Sequence, residues 1–433
     1  MSKIIYLSAA FAALLSHALS ASAANDGDLQ AIRERVQQLE QRMEQSGLTQ
    51  AGSSSGEGAF NPAISLILGG TYGNLRQDPA IPATGFAMSA NPGHGQGFNL
   101  GESELVIEAN IDPQFRGVGR FSIDPAGGLS AEDVNVQTGA LGDGVSLTIG
   151  RFLSGLGYLN EKHAHTWDFV DQPLVYATLW DNQLGEDGVK LKWLAPTDTF
   201  IEVGGELGRG RGFPGTDRAR NGSGAGALFA HIGDDIGIEH NWRAGVSLHQ
   251  TRRENAVSDA VPDLLNTADG VSNSFSGDSR TAGVDFVWKY APNGNLRDRY
   301  VKLQGEYFRR KESGLLTYDT AVGGANLTDS YAVTQSGWYL QSVYQFMPHW
   351  RSGLRYDRLD PGIAAVGALN AGNVISDYGY RPSRTSLMLD YSPSEFSRLR
   401  LQLALDNSRQ GLADKQLFVQ YIMSLGAHGA HQY

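Results

Sequence analysis

The chain of 433 residues contains no cysteine. That fits an envelope protein that avoids stray oxidation, although many cytoplasmic chains share the trait. It also leaves imidazole and carboxylate as the metal-binding side chains. No apolar run reaches the roughly 20 residues that a helix needs to cross a bilayer. Positive charge is in deficit, 35 Lys and Arg against 46 Asp and Glu for a net charge of −11, which argues against nucleic acid as a partner. No break in composition follows residue 60, although a soluble chain of this length ordinarily divides into two or three domains. Ser247 and His249, two residues apart on one strand face, have no G-x-S-x-G or similar nucleophile context around them. The expectation is that the chain is not an enzyme and holds no resident cofactor.

What is present begins with Lys3, the apolar run Ile4 to Leu15, and the small residues Ala21-Ser22-Ala23-Ala24. This is the pattern of a secretory signal peptide over residues 1–24. In residues 25–46, Leu29, Ile32, Val36, Leu39 and Met43 recur at alternating spacings of three and four, the seam of a short coiled coil. An amphipathic helix packed on its own domain would give the same periodicity. The Gly/Ser-rich stretch 47–59 that follows is a flexible tether and favours self-association.

From residue 60 to 433 the chain alternates with period two. In SRLRLQLALD, Leu399, Leu401, Leu403 and Leu405 take one face while Arg398, Arg400, Gln402 and Asp406 take the other. The connections alternate in length as well. NIDPQ, ALGDG, APTD, GDDIG, APNGNLRD, MPHW and SPSEF are tight turns, and long polar segments fall near 74–97, 153–187, 208–223, 252–277, 312–333 and 358–381. Short turns on one side and long loops on the other mark a transmembrane antiparallel β-barrel in outer-membrane lipid, short side in the periplasm. The count is about sixteen strands, with 153–187 as the third outer loop. Trp193, Trp242, Trp288 and Trp350 stand beside short turns and Trp338 opens a strand on the opposite side, as an interfacial aromatic girdle requires.

The third loop is too aromatic for disorder, with Trp167, Phe169, Leu174, Tyr176 and Trp180, so it is expected to fold inward and narrow the lumen. Glu161, His163, His165, Asp168 and Asp171 offer imidazole and carboxylate within eleven positions, a set suited to Zn²⁺ as a transported or loop-bound ion. Histidines hydrogen-bonded inside the loop to fix its fold explain the same residues equally well. Expected pore-lining cations are Arg116, Arg120, Lys190, Lys192, Arg243, Arg351, Arg355, Arg384 and Arg400, with Glu104, Glu206, Glu306, Asp357 and Asp390 among the inward acids. An arginine row facing an acidic loop would set a transverse field across the bore.

Gly150-Arg151-Phe152, the turn from Gly155 to Glu161, His163-Ala164-His165, the stretch Trp167 to Asp171 and Asp187-Gly188-Val189 together resemble the phosphate-selective porins O and P. They are more similar still to a branch labelled zinc-regulated outer-membrane receptors. The resemblance implies a homotrimeric porin with an in-folded third loop, passing small hydrophilic solutes or ions. It does not carry phosphate selectivity across, because the arginine and lysine ladder of that family is not matched residue by residue. Two other readings stay open, an energised TonB-type metal receptor without a plug and a structural or adhesive barrel. The former ordinarily uses about 22 strands.

Overall fold

The computed structural model describes residues 62–86, 95–101, 103–123, 128–138, 141–216, 221–258 and 271–426. The signal peptide, coiled coil and linker expected over 1–59 lie outside the described residues, as do Glu102 and the histidines at 94, 428 and 431.

Alternation becomes pairing along almost the whole described chain. The strands are β1 (Ala63–Asn74), β2 (Gly97–Asn99 continued by Ser103–Asn110), β3 (Phe115–Ile123), β4 (Leu129–Thr138), β5 (Val145–Leu153), β6 (Gly185–Leu194), β7 (Phe200–Gly208) and β8 (Ala225–Ile236). They continue as β9 (His240–Ser258), β10 (Asn273–Tyr290), β11 (Tyr300–Tyr318), β12 (Leu327–Met347), β13 (Trp350–Asp360), β14 (Ser383–Ser394), β15 (Ser397–Asn407) and β16 (Asp414–Gly426). Each pairs antiparallel with its neighbours in sequence. β16 returns to β1, with Gly426 opposite Ser65 and Leu417 opposite Asn74, so the sixteen strands close and leave no edge.

Burial runs opposite to that of a soluble sheet. On β15 the leucines at 399, 401, 403 and 405 are between 41% and 52% exposed, while Arg400, Gln402 and Asp406 are at most 4% exposed. An apolar exterior of this extent is stable only against lipid. The turns at the short-loop end are chemically tight: Asp112 accepts the amides of Gln114 and Phe115 at 2.7 and 2.8 Å. Trp242 and Trp288 are register partners beside such turns.

Residues 252–258, 273–277, 312–318 and 327–333, within segments expected as loops, are strand. β11 and β12 run for 19 and 21 residues, about twice what a tilted strand needs to cross the hydrocarbon. The outer ends of β9 to β12 extend past the apolar band, and outward positions there include the exposed Arg252, Arg280 and Lys311. Apolar alternation fades there while ladder pairing continues, and reading hydrophobicity alone ends the strand too early. The connections β3–β4 and β15–β16 are outer loops that escape notice by being short.

Candidate functional site

The third outer connection, L3 (residues 154–184), lies inside the barrel, where the inward charges of the wall bind its backbone. Glu206 accepts the Ser154 hydroxyl at 2.6 Å and the Gly155 amide at 2.8 Å. Glu306 accepts the amides of Tyr158 and Leu159 at 2.9 and 3.1 Å together with the hydroxyls of Tyr176 and Tyr339. Gly157 passes this carboxylate at φ +66°, where an added Cβ would stand 2.3 Å from it. Asp357 and Gln402 accept the amides of Leu174 and Val170. The loop's carbonyls meet arginine: Arg355 donates to Asp171 O at 2.7 Å, Arg384 to Gln172 O at 2.7 Å, and Arg398 and Arg400 both to Trp167 O. Buried backbone groups need partners, and an irregular segment inside a barrel finds them on the lumen wall.

A short helix, α1 (Leu174–Trp180), has all seven residues buried. Trp180 meets His249 and Phe308 edge-on, with ring centres 5.2 and 5.9 Å apart. Leu174, Val175 and Leu179 complete an apolar cluster with Tyr339, Leu359 and the first-loop residues Ala83 and Phe86. The helix stops at Asp181 and Asn182, both with positive φ. Burial pushes the Asp181 carboxyl up to about 6.

All nine expected pore-lining cations stand on the inward face, but none faces an acidic loop across open space. Arg116 pairs with Glu108, Arg120 with Asp133, Lys190 with Glu161 and Lys192 with Glu202. Arg243 lies over the Tyr158 ring and donates to Gly157 O. Arg351 joins Asp390 to Asp168, Arg355 joins Asp357 to Asp171, Arg384 holds Asp171 and Gln172, and Arg400 holds Asp390. The transverse field expected from opposed rows is thus replaced by direct contact: row and loop touch and neutralise each other.

The five residues read as one metal set do not converge. Glu161 goes to Lys190 at 2.8 Å. Burial would raise its carboxyl, but Lys190 and Lys192 outweigh that and hold it at about 2. Asp168 is taken by Lys302, Arg351 and Gln341. Asp171 is taken by Arg355, Arg384 and Gln402. The histidines turn instead toward wall carboxylates. His163 Nδ1 lies 3.0 Å from Glu132 and 3.5 Å from Glu104, its Nε2 lies 3.2 Å from Asp133, and His165 Nδ1 lies 3.3 Å from Glu104. Burial disfavours charge on His163, yet hydrogen bonds to Asp133 and Glu132 and the charge of Glu104 lift it to about 10. Glu132 and Asp133 are the residues that pattern reasoning missed. They are adjacent in a strand, so strict alternation would send one of them outward. The ladder shifts register between Arg120 and Phe121, and this bulge lets both face in. The one available signal was the unbroken polar pair in AEDVNV.

Below L3, toward the short-turn end, lies a cavity of about 1360 Å³. Arg120, Lys162, Lys289, Lys302, Arg351 and Arg398 line it, along with His163 and His165, against Glu161, Asp168, Asp298 and Glu395.

A closed sixteen-strand barrel with an apolar exterior, a charged interior and its third outer loop packed within has the fold of outer-membrane β-barrels. No family model matches the chain. An uncharacterized protein of Aquifex aeolicus (strain VF5) is 28% identical over 410 residues, covering 87% of this chain and 80% of that one. Among solved structures, the loop L8 deletion mutant of OmpT, an outer membrane protein of Vibrio cholerae, superposes with a TM-score of 0.51 at 10% identity, covering 84% of this chain and 99% of that one. An anion-selective porin from Comamonas acidovorans gives 0.50 at 13% identity over the same shares. At such identities the likeness is one of fold.

Proposed function

We propose that the chain is a porin of the bacterial outer membrane through which small hydrophilic solutes or ions diffuse passively, with L3 as the constriction. The observation that carries this is the fastening of L3 to the wall by buried charges of both signs, which holds a segment of irregular backbone inside the bore. Sixteen strands suit a diffusion channel, whereas plug-bearing energised receptors use about 22. The cavity beneath L3 favours anions: Lys162, Lys289 and Arg398 line it with no carboxylate partner among the described residues. Kinship with the phosphate-selective porins belongs to the same proposal. So does a homotrimer with its amino-terminal segment in the periplasm; a Vibrio cholerae OmpT structure is described in a trimer form.

A second reading, zinc or another divalent cation as the solute, is favoured by the convergence of Glu104, Glu132 and His163 beside the cavity. Planar-bilayer recording separates the two. Reversal potential in a salt gradient, repeated with phosphate and with Zn²⁺, should report anion preference; cation preference would transfer the proposal to the second reading. Deleting Leu159 to Leu184 should leave a folded barrel of higher conductance and weaker discrimination. Unchanged conductance would exclude L3 as the constriction, and a barrel with no stepwise currents at all would be structural or adhesive.

A further inference from the structure

We propose that Glu104, Glu132 and His163, with His165 beside them, bind one divalent transition-metal ion that ties L3 to the barrel wall. This goes beyond the diffusion reading and does not depend on it, since an ion held by groups of both L3 and the wall would fasten the loop whatever solute the bore passes.

Four observations meet here. One ligand atom from each of Glu104, Glu132 and His163 falls within 4.8 Å of the others. The contacts from His163 Nδ1 to Glu132 and Glu104, 3.0 and 3.5 Å, and from His165 Nδ1 to Glu104, 3.3 Å, are close to the edges of a tetrahedron with bonds of about 2.0–2.2 Å, as oxygen and nitrogen ligands make to Zn²⁺. Glu104 is 1% exposed, and neither carboxylate oxygen has a hydrogen-bond partner; it is held only by the longer contacts to His165, His163 and, at 3.9 Å, Arg120. A buried carboxylate with ion-pair contacts but no hydrogen bond is one that a directly ligated cation would complete.

The contacts behind the ligands are also in place. His163 Nε2 points at Asp133, which accepts from Arg120 at 2.9 Å and from the Leu153 amide at 3.1 Å. A carboxylate behind a ligating imidazole fixes the ring and leaves the other nitrogen free to ligate. Arg120 pairs chiefly with Asp133 and lies 3.9 Å from Glu104, and once His163 gives up its proton to the incoming ion, Glu104 and Glu132 supply two negative charges for two positive ones. The bulge at Glu132 gives up ladder regularity and in return places adjacent carboxylates on one face. Imidazole with carboxylate and no thiolate suits Zn²⁺, Co²⁺ or Mn²⁺. His163 and His165 border the cavity, which gives the ion a way in.

The test uses the full-length protein in detergent, its folding verified by heat-modifiable mobility. Calorimetry with Zn²⁺ and Co²⁺ should show one ion per chain, with visible Co²⁺ bands of imidazole coordination. Glu104→Gln and His163→Gln should abolish that binding, Asp133→Asn should weaken it by about tenfold to a hundredfold, and Glu395→Gln should leave it unchanged. No binding to the wild-type barrel, or equal binding to the Glu104 and His163 variants, would overturn the proposal and leave an ion-paired cluster only. Should a variant not fold, the Co²⁺ spectrum of the wild type decides, because bands of the hydrated ion alone would refute it.

Discussion

At the scale of single residues, the interior is governed by pairing. Asp171 carries three partners, Arg355 at 2.8 Å, Arg384 at 2.8 Å and Gln402 at 2.9 Å, on three different strands. Arg355 is 1% exposed and depends on this carboxylate and on Asp357. Removing one member of a buried pair strands the other charge, at a cost of about 3 kcal/mol or more. Asp171→Asn should therefore loosen L3 while the barrel persists. Hydrogen exchange at residues 163–175 should rise by two orders of magnitude or more, and single-channel current should become noisier. Protection equal to wild type would mean that the apolar cluster alone holds the loop. The inward placement of Arg355, Arg384 and Asp390 was legible in period-two alternation. Their partners were not, because pairing depends on which strands the closed barrel brings beneath L3. Glu132 was illegible for a sharper reason: a bulge breaks the parity on which such reading rests.

At the scale of elements, L3 shows what sequence can and cannot convey. Its length, aromatic content and flanking strands marked it as an inward excursion, and its residues are indeed buried against the wall. The helix inside it was not legible, since Leu174–Trp180 spans two turns and is apolar all round, with no periodicity to read. Its stop at Asp181 makes the element sensitive to acid. The Asp181 carboxyl is raised by burial to about 6 from an ordinary value of 3.8, so the docked loop binds a proton more readily than the undocked one. Docking is then least favourable above about pH 6 and gains as pH falls through that value, levelling off near 3.8. Exchange protection of residues 174–184 should be greater at pH 5 than at pH 7.5, and Asp181→Asn should reduce that difference. An identical pH response in the Asn variant would assign the sensitivity to other acids.

At the scale of the whole molecule, the fold rests on an inversion of ordinary solvent preference, and the inversion can be measured. Leu403 is 48% exposed, flanked in register by Leu387 on β14 and Leu417 on β16, in the middle of an apolar exterior. On a water-facing surface, exchange of such a residue for arginine would change stability by no more than about 0.5 kcal/mol. In a bilayer the same exchange places a guanidinium in hydrocarbon at a cost of about 2–4 kcal/mol near the midplane. Reversible folding into lipid vesicles, followed by urea titration, should therefore show Leu403→Arg destabilised by that amount. Leu412→Arg, in the outer connection between β15 and β16, should be near neutral. The contrast follows from depth along the strand and not from exposure as such, since both leucines are exposed. Equal and small effects at the two positions would place the Leu403 face in water, and the barrel would then need another partner for its exterior.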